Sequence, residues 1–349
     1  MLDPIIDAIR QAGAQRAPLQ IRGGGSKDFY GEPPQGEVLD LSGYRGIVDY
    51  EPSELYLTAR AGTPLAEVEL ALAECGQMLV FEPPHFGVGA TVGGMVAAGL
   101  AGPRRAYAGA VRDYLLGVRL LDGRGDQLRF GGKVMKNVAG YDVSRLMAGS
   151  LGCLGVLTEV TLKIAPRPAT ELTLVFAMGQ AEAIRRCNEW AGQALPLSAT
   201  AWAEDRLWIR LSGAAPAVAQ GRARLGGEAV ADGEAFWHGL REQRLAFFAG
   251  AAPLWRLSLP AMASPLALDG VQLIEWGGAL RWLRSHAAAE AVRATAHSAG
   301  GHATLFRASD KTGGVFTPQA PALLALHRRL KQQFDPAGVF NRGRLYPDL

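Results

Sequence analysis

Three loops built largely of glycine stand in the first half of this 349-residue chain, and each could hold an anion on backbone N–H groups. The first, Arg22-Gly23-Gly24-Gly25-Ser26-Lys27, sets consecutive amides beside a hydroxyl and an ammonium. Successive glycine amides can form a concave nest of donors. The second, Phe86–Gly109, holds seven glycines and no acid, with Arg104 and Arg105 near its end. Its Thr91-Val92-Gly93-Gly94 run can start a helix, and a helix start presents free N–H groups to an anion. The third is Gly149-Ser150-Leu151-Gly152-Cys153-Leu154-Gly155. Glycine at this density forgoes side-chain packing, so another group must come close to the backbone. A plain surface turn is the alternative for each loop. Three such loops beside strands point to a long, phosphate-bearing cofactor lined by backbone at several places.

Groups that could move protons are fewer. His85 lies between prolines and glycines, where an exposed loop histidine is the alternative to a proton-transfer role. Lys136, Asn137, Tyr141 and Asp142 put four polar groups close together beside Gly140; Asp142 could equally cap a short helix through Met147. The nucleotide folds are excluded by spacing. Gly87-Val88-Gly89 begins G-x-G-x-x-G, but the third glycine is out of place, and no G-x-x-x-x-G-K-[ST] occurs.

The elements that must position these loops are legible as alternation and punctuation. An N-terminal amphipathic helix precedes a strand at Leu19–Arg22, and further strands follow at 37–41, 47–50 and 54–61. Thr63-Pro64 reads as N-cap and first position of a helix through about Ala73, and Met78–Phe81 as a strand. A hairpin spans 111–130, turning at Asp122-Gly123-Arg124-Gly125. In Val156–Ile164 the face with Val156, Thr158, Val160, Leu162 and Ile164 is expected against a core, opposite Leu157, Glu159, Thr161 and Lys163. Pro166 and Pro168 mark a boundary. Beyond it, strands alternate with helices at 181–194, 215–224, 233–248 and 287–299, the pattern of an α+β domain with an antiparallel sheet. Trp202, Trp208, Trp255, Trp276 and Trp282 fit its core or a partner contact. A last helix, Pro321–Phe334, leads to an extended tail with Asn341.

Composition limits the function classes. The hydrophobic fraction of 48% and charged fraction of 20% are ordinary for a globular protein. A net charge of +3, with no basic tail or basic–aromatic array, argues against a nucleic-acid binder. No apolar run reaches the roughly 18 residues of a membrane span. Cys75, Cys153 and Cys187 are scattered, which supports neither a disulfide framework nor an iron–sulfur site. A cytoplasmic location is the default.

Taken together, the motifs resemble one family. Arg22–Ser26, Gly89-Ala90-Thr91-Val92-Gly93-Gly94-Met95, Lys136-Asn137-Val138-Ala139-Gly140-Tyr141-Asp142, Gly149–Thr158 and Phe334-Asp335-Pro336 with Asn341 run in the order found in FAD-binding oxidoreductases of the vanillyl-alcohol oxidase/p-cresol methylhydroxylase (PCMH-type) fold. Within these the chain is similar to the FAD-binding subunit of bacterial glycolate oxidases. The resemblance implies an α+β chain: a two-subdomain PCMH-type FAD-binding domain over 1–168, a smaller α+β cap over 169–310 with an antiparallel sheet, and a helix and tail, 311–349, returning to the flavin. It implies that FAD is held by Arg22, Gly23, Gly24, Gly25, Ser26 and Lys27, and by Pro83, Gly87, Ala90, Thr91, Gly93 and Gly94. Gly99, Tyr107, Gly149, Ser150, Gly152, Gly155 and Val156 complete that set, with Asn341 towards the isoalloxazine.

The departures carry as much. Flavin-linking members place a histidine in or near the first loop; Gly25-Ser26-Lys27 has none, so FAD is expected without a covalent link. The third loop of catalytic relatives reads S-E-G-T-L-G, against Ser150-Leu151-Gly152-Cys153-Leu154-Gly155 here. Relatives that oxidise 2-hydroxy acids carry a cap metal motif of the type H-x-G-D-G-N-x-H. His238, His286, His297, His302 and His327 are not spaced that way, so no metal is expected. The implied role is an accessory FAD subunit of a glycolate (2-hydroxy acid) oxidase. Its partners would be a larger flavoprotein subunit with the metal and base and an iron–sulfur subunit, with peripheral attachment to the inner membrane face through the complex as an alternative to a free cytoplasmic state. Two other readings stay open. One is a self-sufficient dehydrogenase, with Arg104, Arg105 or Arg307 clamping the carboxylate and Tyr141 or His85 as base. The other is a structural subunit that has lost FAD.

Overall fold

A computed structural model describes residues 2–133, 141–347 and 349. Helix α1 (Asp3–Gln15) begins with proline in its first turn and buries Ile5, Ile9 and Ala12, one helical stripe. Strand β1 (Leu19–Arg22) pairs in parallel with β2 (Glu37–Asp40). Then come β3 (Ile47–Glu51), β4 (Tyr56–Arg60), α2 (Leu65–Glu74), the two-residue β5 (Gln77–Met78), α3 (Val92–Ala98), α4 (Arg105–Ala108) and α5 (Val111–Tyr114). The hairpin β6 (Leu115–Leu121) and β7 (Gln127–Gly131), α6 (Val143–Met147), β8 (Val156–Lys163) and β9 (Ala165–Pro166) complete this half. Its main sheet is antiparallel in the order β3-β4-β8-β6-β7. Residues of α1, α2, α3 and this sheet share one core with Val339 and Phe340 of the tail.

The second half runs β10 (Thr170–Ala177), α7 (Gln180–Ala191), β11 (Leu197–Ala203), β12 (Arg206–Gly213), α8 (Ala215–Leu225), β13 (Glu228–Val230) and α9 (Gly233–Arg241). It continues through β14 (Leu254–Ser258), β15 (Val271–Glu275), β16 (Leu280–Arg284), α10 (Ala289–Ser298), β17 (His302–Arg307) and α11 (Pro321–Phe334). One eight-stranded sheet, β13-β10-β12-β11-β15-β16-β14-β17, spans it. The strands fall into two units of the βαββαβ kind, each in the order 4-1-3-2, joined through their second strands β11 and β15. The second unit has no helix where the first has α7. There the extended segment 259–270 lies across the sheet, tied down by fully buried Arg281, which donates to the carbonyls of Ser264, Ala263 and Gly278.

Alternation gives this sheet two different faces. One packs on the helices through Leu174, Ile209 and Leu211 in the first unit and Trp255, Leu257 and Leu283 in the second. The other turns towards the first half and joins Tyr30, Leu100 and Leu151 in a mixed core with Trp276, Trp282 and Phe306. Trp255, Trp276 and Trp282 are thus core residues, whereas Trp202 and Trp208 are half-buried.

Four local expectations need correction. Thr63 does not cap α2, because its hydroxyl is bonded to the amide and carbonyl of Gly46. The strand expected over Met78–Phe81 ends at Met78, since a turn closes there with the Glu82 amide on Leu79 O. The helix expected over 233–248 stops at Arg241, where Gln243 turns left-handed; 246–248 form a separate turn. In β8 Leu157 and Thr161 are buried too, because the strand is central and its second face is also covered.

The tail is locked to the first half by one buried cation. Lys331 Nζ donates to Cys153 O at 2.8 Å and Phe340 O at 2.6 Å and pairs with Asp335 Oδ2 at 2.8 Å. Asp335 accepts the amides of Val339 and Phe340 in turn. Removing one partner of a buried pair leaves an uncompensated charge, which costs about 3–5 kcal/mol. Lys331→Met should therefore lower the stability measured by urea unfolding by about that amount, with Lys331→Met/Asp335→Asn losing less than the two single variants added together.

Candidate functional site

The three glycine loops and the tail meet at one place. A cleft is lined by Arg22 and Gly23 of the first loop, Thr91, Gly93 and Gly94 of the second, Ser150, Gly152 and Gly155 of the third, and Asn341. Asn341 ties β1, which leads into the first loop, to the third: its Oδ1 accepts from Ile21 N at 2.7 Å, its Nδ2 donates to Leu151 O at 2.6 Å, and its own amide donates to Leu19 O.

Much of the glycine is demanded by loops touching loops. A Cβ on Gly24 would lie 1.5 Å from Gly89 O, and one on Gly23 would lie 2.3 Å from Thr91 Oγ1. Gly25 has φ of +72° besides, and its missing side chain leaves room for the Arg22 guanidinium, which pairs with Asp28 at 2.7 Å.

The donors for an anion lie elsewhere than the helix start. The first amides of α3 are taken: Val92 N bonds Thr63 O, Gly93 N bonds Ala61 O, and Gly94 N bonds Thr91 Oγ1. The expectation of free N–H groups there is corrected, because α3 is inserted into the strand-end turn at 61–63. Among the described residues, the amides of Gly23, Gly24, Gly25, Gly87, Val88, Gly89 and Gly152 have no acceptor. Beneath the first two loops lies Lys27, its Nζ on Ser26 Oγ at 3.3 Å and His85 O at 3.1 Å, above the Phe86 ring. Burial pulls its pKa down to about 8, against the opposing pull of Glu242. Unpaired amides around a buried ammonium, at the mouth of a glycine-lined cleft, fit the pyrophosphate of FAD.

The other expected cofactor residues lie around this centre at varying distance. Gly87 is exposed, Ala90 and Val156 are buried, and Gly99 closes α3 against the Gly149 backbone. Pro83 is buried in the strap leading to the second loop. Tyr107 lies beside Thr200 of β11, its pKa raised by burial, on the cap side. Lys136, Asn137, Val138, Ala139 and Gly140 lie outside the described residues.

The candidate acid–base groups are otherwise engaged. His85 Nε2 is 3.1 Å from Glu69 Oε2. Arg104 is buried between Glu82 (3.0 Å), Glu171 and Ser212, and Arg210 reaches the same Glu82 at 2.9 Å. That network joins the strap at 82 and the start of α4 to β10 and β12, so Arg104 is a weld between the halves. It lines a cavity of about 910 Å³ that shares no lining residue with the glycine cleft, in which Glu69, Glu82 and Glu171 pair with Arg241, Arg104 and Arg210. Tyr141 is 93% exposed, and Asp142 caps α6 through the Arg145 amide. Arg105 lies over Trp276 at 4.5 Å and Arg307 over Phe29 at 4.5 Å. No cluster of three or more His, Cys, Asp or Glu able to hold a metal occurs among the described residues.

Several residues escaped the sequence. Glu242 accepts the amides of His85 and Phe86 and so fixes the strap into the second loop. Burial pushes its carboxyl up, but the Phe86 amide, Arg241 and the His85 amide outweigh that and hold it below its ordinary value. Glu275 and Arg256 face the first half from the cap sheet. None has a local signal, since each partner lies far off in the chain.

Comparison with known proteins bears on the family, the fold and the cofactor. A family described as FAD binding domain matches residues 2–131. Glycolate oxidase subunit GlcE of Escherichia coli K12 is 52% identical over 345 residues, covering 99% of this chain and 97% of that one. Glycolate oxidase subunit GlcD of Bacillus subtilis 168 is 32% identical over 50% of this chain and 37% of its own length. A D-lactate dehydrogenase of Archaeoglobus fulgidus is 31% identical over 54% and 43%. In fold, a solved structure of alkyldihydroxyacetonephosphate synthase aligns at a TM-score of 0.66, covering 97% of this chain and 73% of that one, at 13% identity. The α+β architecture is that of a PCMH-type FAD-binding protein, and FAD is its cofactor. Matched from end to end at 52% identity, the chain belongs to the GlcE family of glycolate oxidase subunits.

Proposed function

We propose that this protein is the FAD-binding subunit of a glycolate oxidase complex, in which glycolate, or D-lactate, is oxidised together with a catalytic flavoprotein subunit of the GlcD kind and an iron–sulfur subunit. The observation that carries the reading is the full-length match to a GlcE subunit by a chain whose glycine cradle is intact. When bound, FAD supplies a two-electron acceptor. The chain's own residues do the rest. Gly23–Gly25 and Gly87–Gly89 offer donors to the pyrophosphate, and Lys27 supplies a positive charge under them. With no histidine in the first loop FAD is held without a covalent link, and Asn341 ties β1 to the third loop.

The division of labour follows from what the expected catalytic groups are doing. His85 and Arg104 are held by Glu69 and by Glu82 with Glu171, and Tyr141 faces solvent. A subunit that binds flavin but leaves the difficult proton transfer to its partner accounts for both facts. The three-part assembly and any attachment to a membrane through it belong to the same proposal; among the described residues no helix is long and apolar enough to cross a membrane.

The purified chain should show an oxidised flavin band, and unfolding should release the flavin. Addition of glycolate without air should leave the band unbleached until the partner subunits are supplied. Bleaching by the chain alone would overturn the accessory role, and a protein that cannot be reconstituted with FAD would overturn the cofactor role.

Gly24→Ala puts a methyl group into the Gly89 carbonyl and forces the first two loops apart. It should lower the melting temperature, at a cost of about 1–3 kcal/mol for overpacking, and reduce the flavin content of the purified protein. Gly132→Ala, where a Cβ meets open space, should do neither.

A further inference from the structure

The cap reaches into the cofactor cradle with one carboxylate. Glu242 follows the last residue of α9, and its side chain is 3% exposed. A carboxylate there stands against the helix dipole, whose C-terminal end favours cations, and burial adds the cost of desolvation. The groups that offset both costs lie mainly on the strap, residues 82–86. Glu242 Oε2 accepts from Phe86 N at 2.9 Å, and His85 N lies 3.2 Å from both of its oxygens. Arg241 completes the set, with Nε 2.9 Å from Glu242 and Nη1 3.6 Å from Glu69, the partner of His85. The strap is held in a costly conformation. Glu82 and Phe86 have φ of 47° and 53°, left-handed values that residues with side chains adopt under strain, with Pro83 and Pro84 between them.

The carbonyl next to those amides is gripped by an ammonium. Lys27 Nζ donates to His85 O at 3.1 Å, so neighbouring groups of the strap tie a carboxylate of the cap to the cation of the first loop. Gly87, Val88 and Gly89, whose amides have no acceptor among the described residues, follow directly. We propose that Glu242 is a positioning residue for the cofactor: its grip on the 85–86 backbone holds the Gly87–Gly89 amides and Lys27 in place for the pyrophosphate, so that the affinity of the cradle for FAD is set from the cap. The proposal rests on the FAD-subunit reading and assigns no contact between Glu242 and the flavin.

The charges around Lys27 make this grip visible in a pH profile. Arg22 and Asp28 of its own loop pair with each other, Glu242 acts on it from the end of α9, and Arg307 of β17 shares the Phe86 ring. His85 and Glu69 pair with each other across the strap and α2. Burial pulls Lys27 down to about 8, and Glu242 opposes that fall. Below pH 8 the ammonium is already charged for an anion. Above pH 8 binding must take up a proton, so affinity falls as pH rises. Removing the Glu242 charge lets Lys27 drop further, and the fall then begins at a lower pH.

The test is titration of the purified full chain, stripped of flavin, with FAD from pH 6 to pH 9, read by flavin fluorescence. Melting temperature is recorded for every variant. The unsubstituted chain should bind about tenfold more weakly at pH 9 than at pH 7. Glu242→Ala should lose about tenfold or more at pH 7, the scale of one hydrogen bond to a charged group. Glu242→Gln, which keeps an acceptor for the strap amides, should lose less at pH 6 but begin its fall at a lower pH. In a Lys27→Met background Glu242→Ala should cost less than it does alone, because part of what it positions is already gone. Arg104→Met, which loosens the seam between the halves at the weld and not at the strap, should retain FAD. Four results would each overturn the proposal: undiminished affinity in Glu242→Ala, an equal loss in Arg104→Met, fully additive losses with Lys27→Met, or an unshifted pH profile in Glu242→Gln. If Glu242→Ala does not fold, the Glu242→Gln profile decides alone. An unsubstituted chain that takes up no FAD would overturn the flavin-subunit reading instead.

Discussion

The cofactor half of this molecule depends on an ammonium buried in protein. Lys331, from the last helix, reaches the carbonyls of Cys153 and Phe340 and is neutralised by Asp335, one turn on. Taking such a charge out of water is expensive, and only this complete set of partners makes it tolerable. The result is that the third glycine loop, the tail and strand β1 are one unit, with Leu19 bridging to Phe340 and Asn341 holding Ile21 and Leu151. Without it the cleft has two walls. Cys153 is drawn into the same arrangement: its thiol is pushed by burial up to about 11, which makes it a packing residue and chemically quiet.

What the sequence disclosed follows from how local each requirement is. Glycines at 23–25, 87–94 and 149–155 announce a backbone that something must approach, and that demand is written in the residues themselves. The approaching group is partly another loop, which no local pattern reveals: Gly24 needs Gly89, more than sixty positions away. The helix start at Thr91 was legible, yet its amides are spent on the turn at 61–63, a tertiary contact. Arg104 read as a free cation because its partners Glu82, Glu171 and Ser212 lie on three other elements. Glu275 and Arg256 were invisible for the same reason, being single charges on alternating strands.

The cap shows how one sheet serves two masters. Its helix-side face is apolar in both units, but in the second unit an arginine stands in for a helix, Arg281 holding an extended segment by its carbonyls. Burial lowers that guanidinium to about 10, still high enough to keep its charge at neutral pH. The opposite face carries the polar residues that meet the first half, from the Arg104–Glu82–Arg210 weld at one end to Arg256 and Glu275 at the other. The ion-paired weld at the first end and the small pocket at the second come from one register of alternation.

The parallel bridge between Leu19 and Phe340 has a bearing on how the protein is made. Ribosomes add about 5–20 residues per second, so the first strand waits roughly 15–65 seconds for the segment that completes its edge. During that interval the glycine loops lack the lysine and the asparagine that fasten the third of them to the tail. The cleft is therefore complete only once the tail has been made and docked, after the whole of the eight-stranded cap has been synthesised.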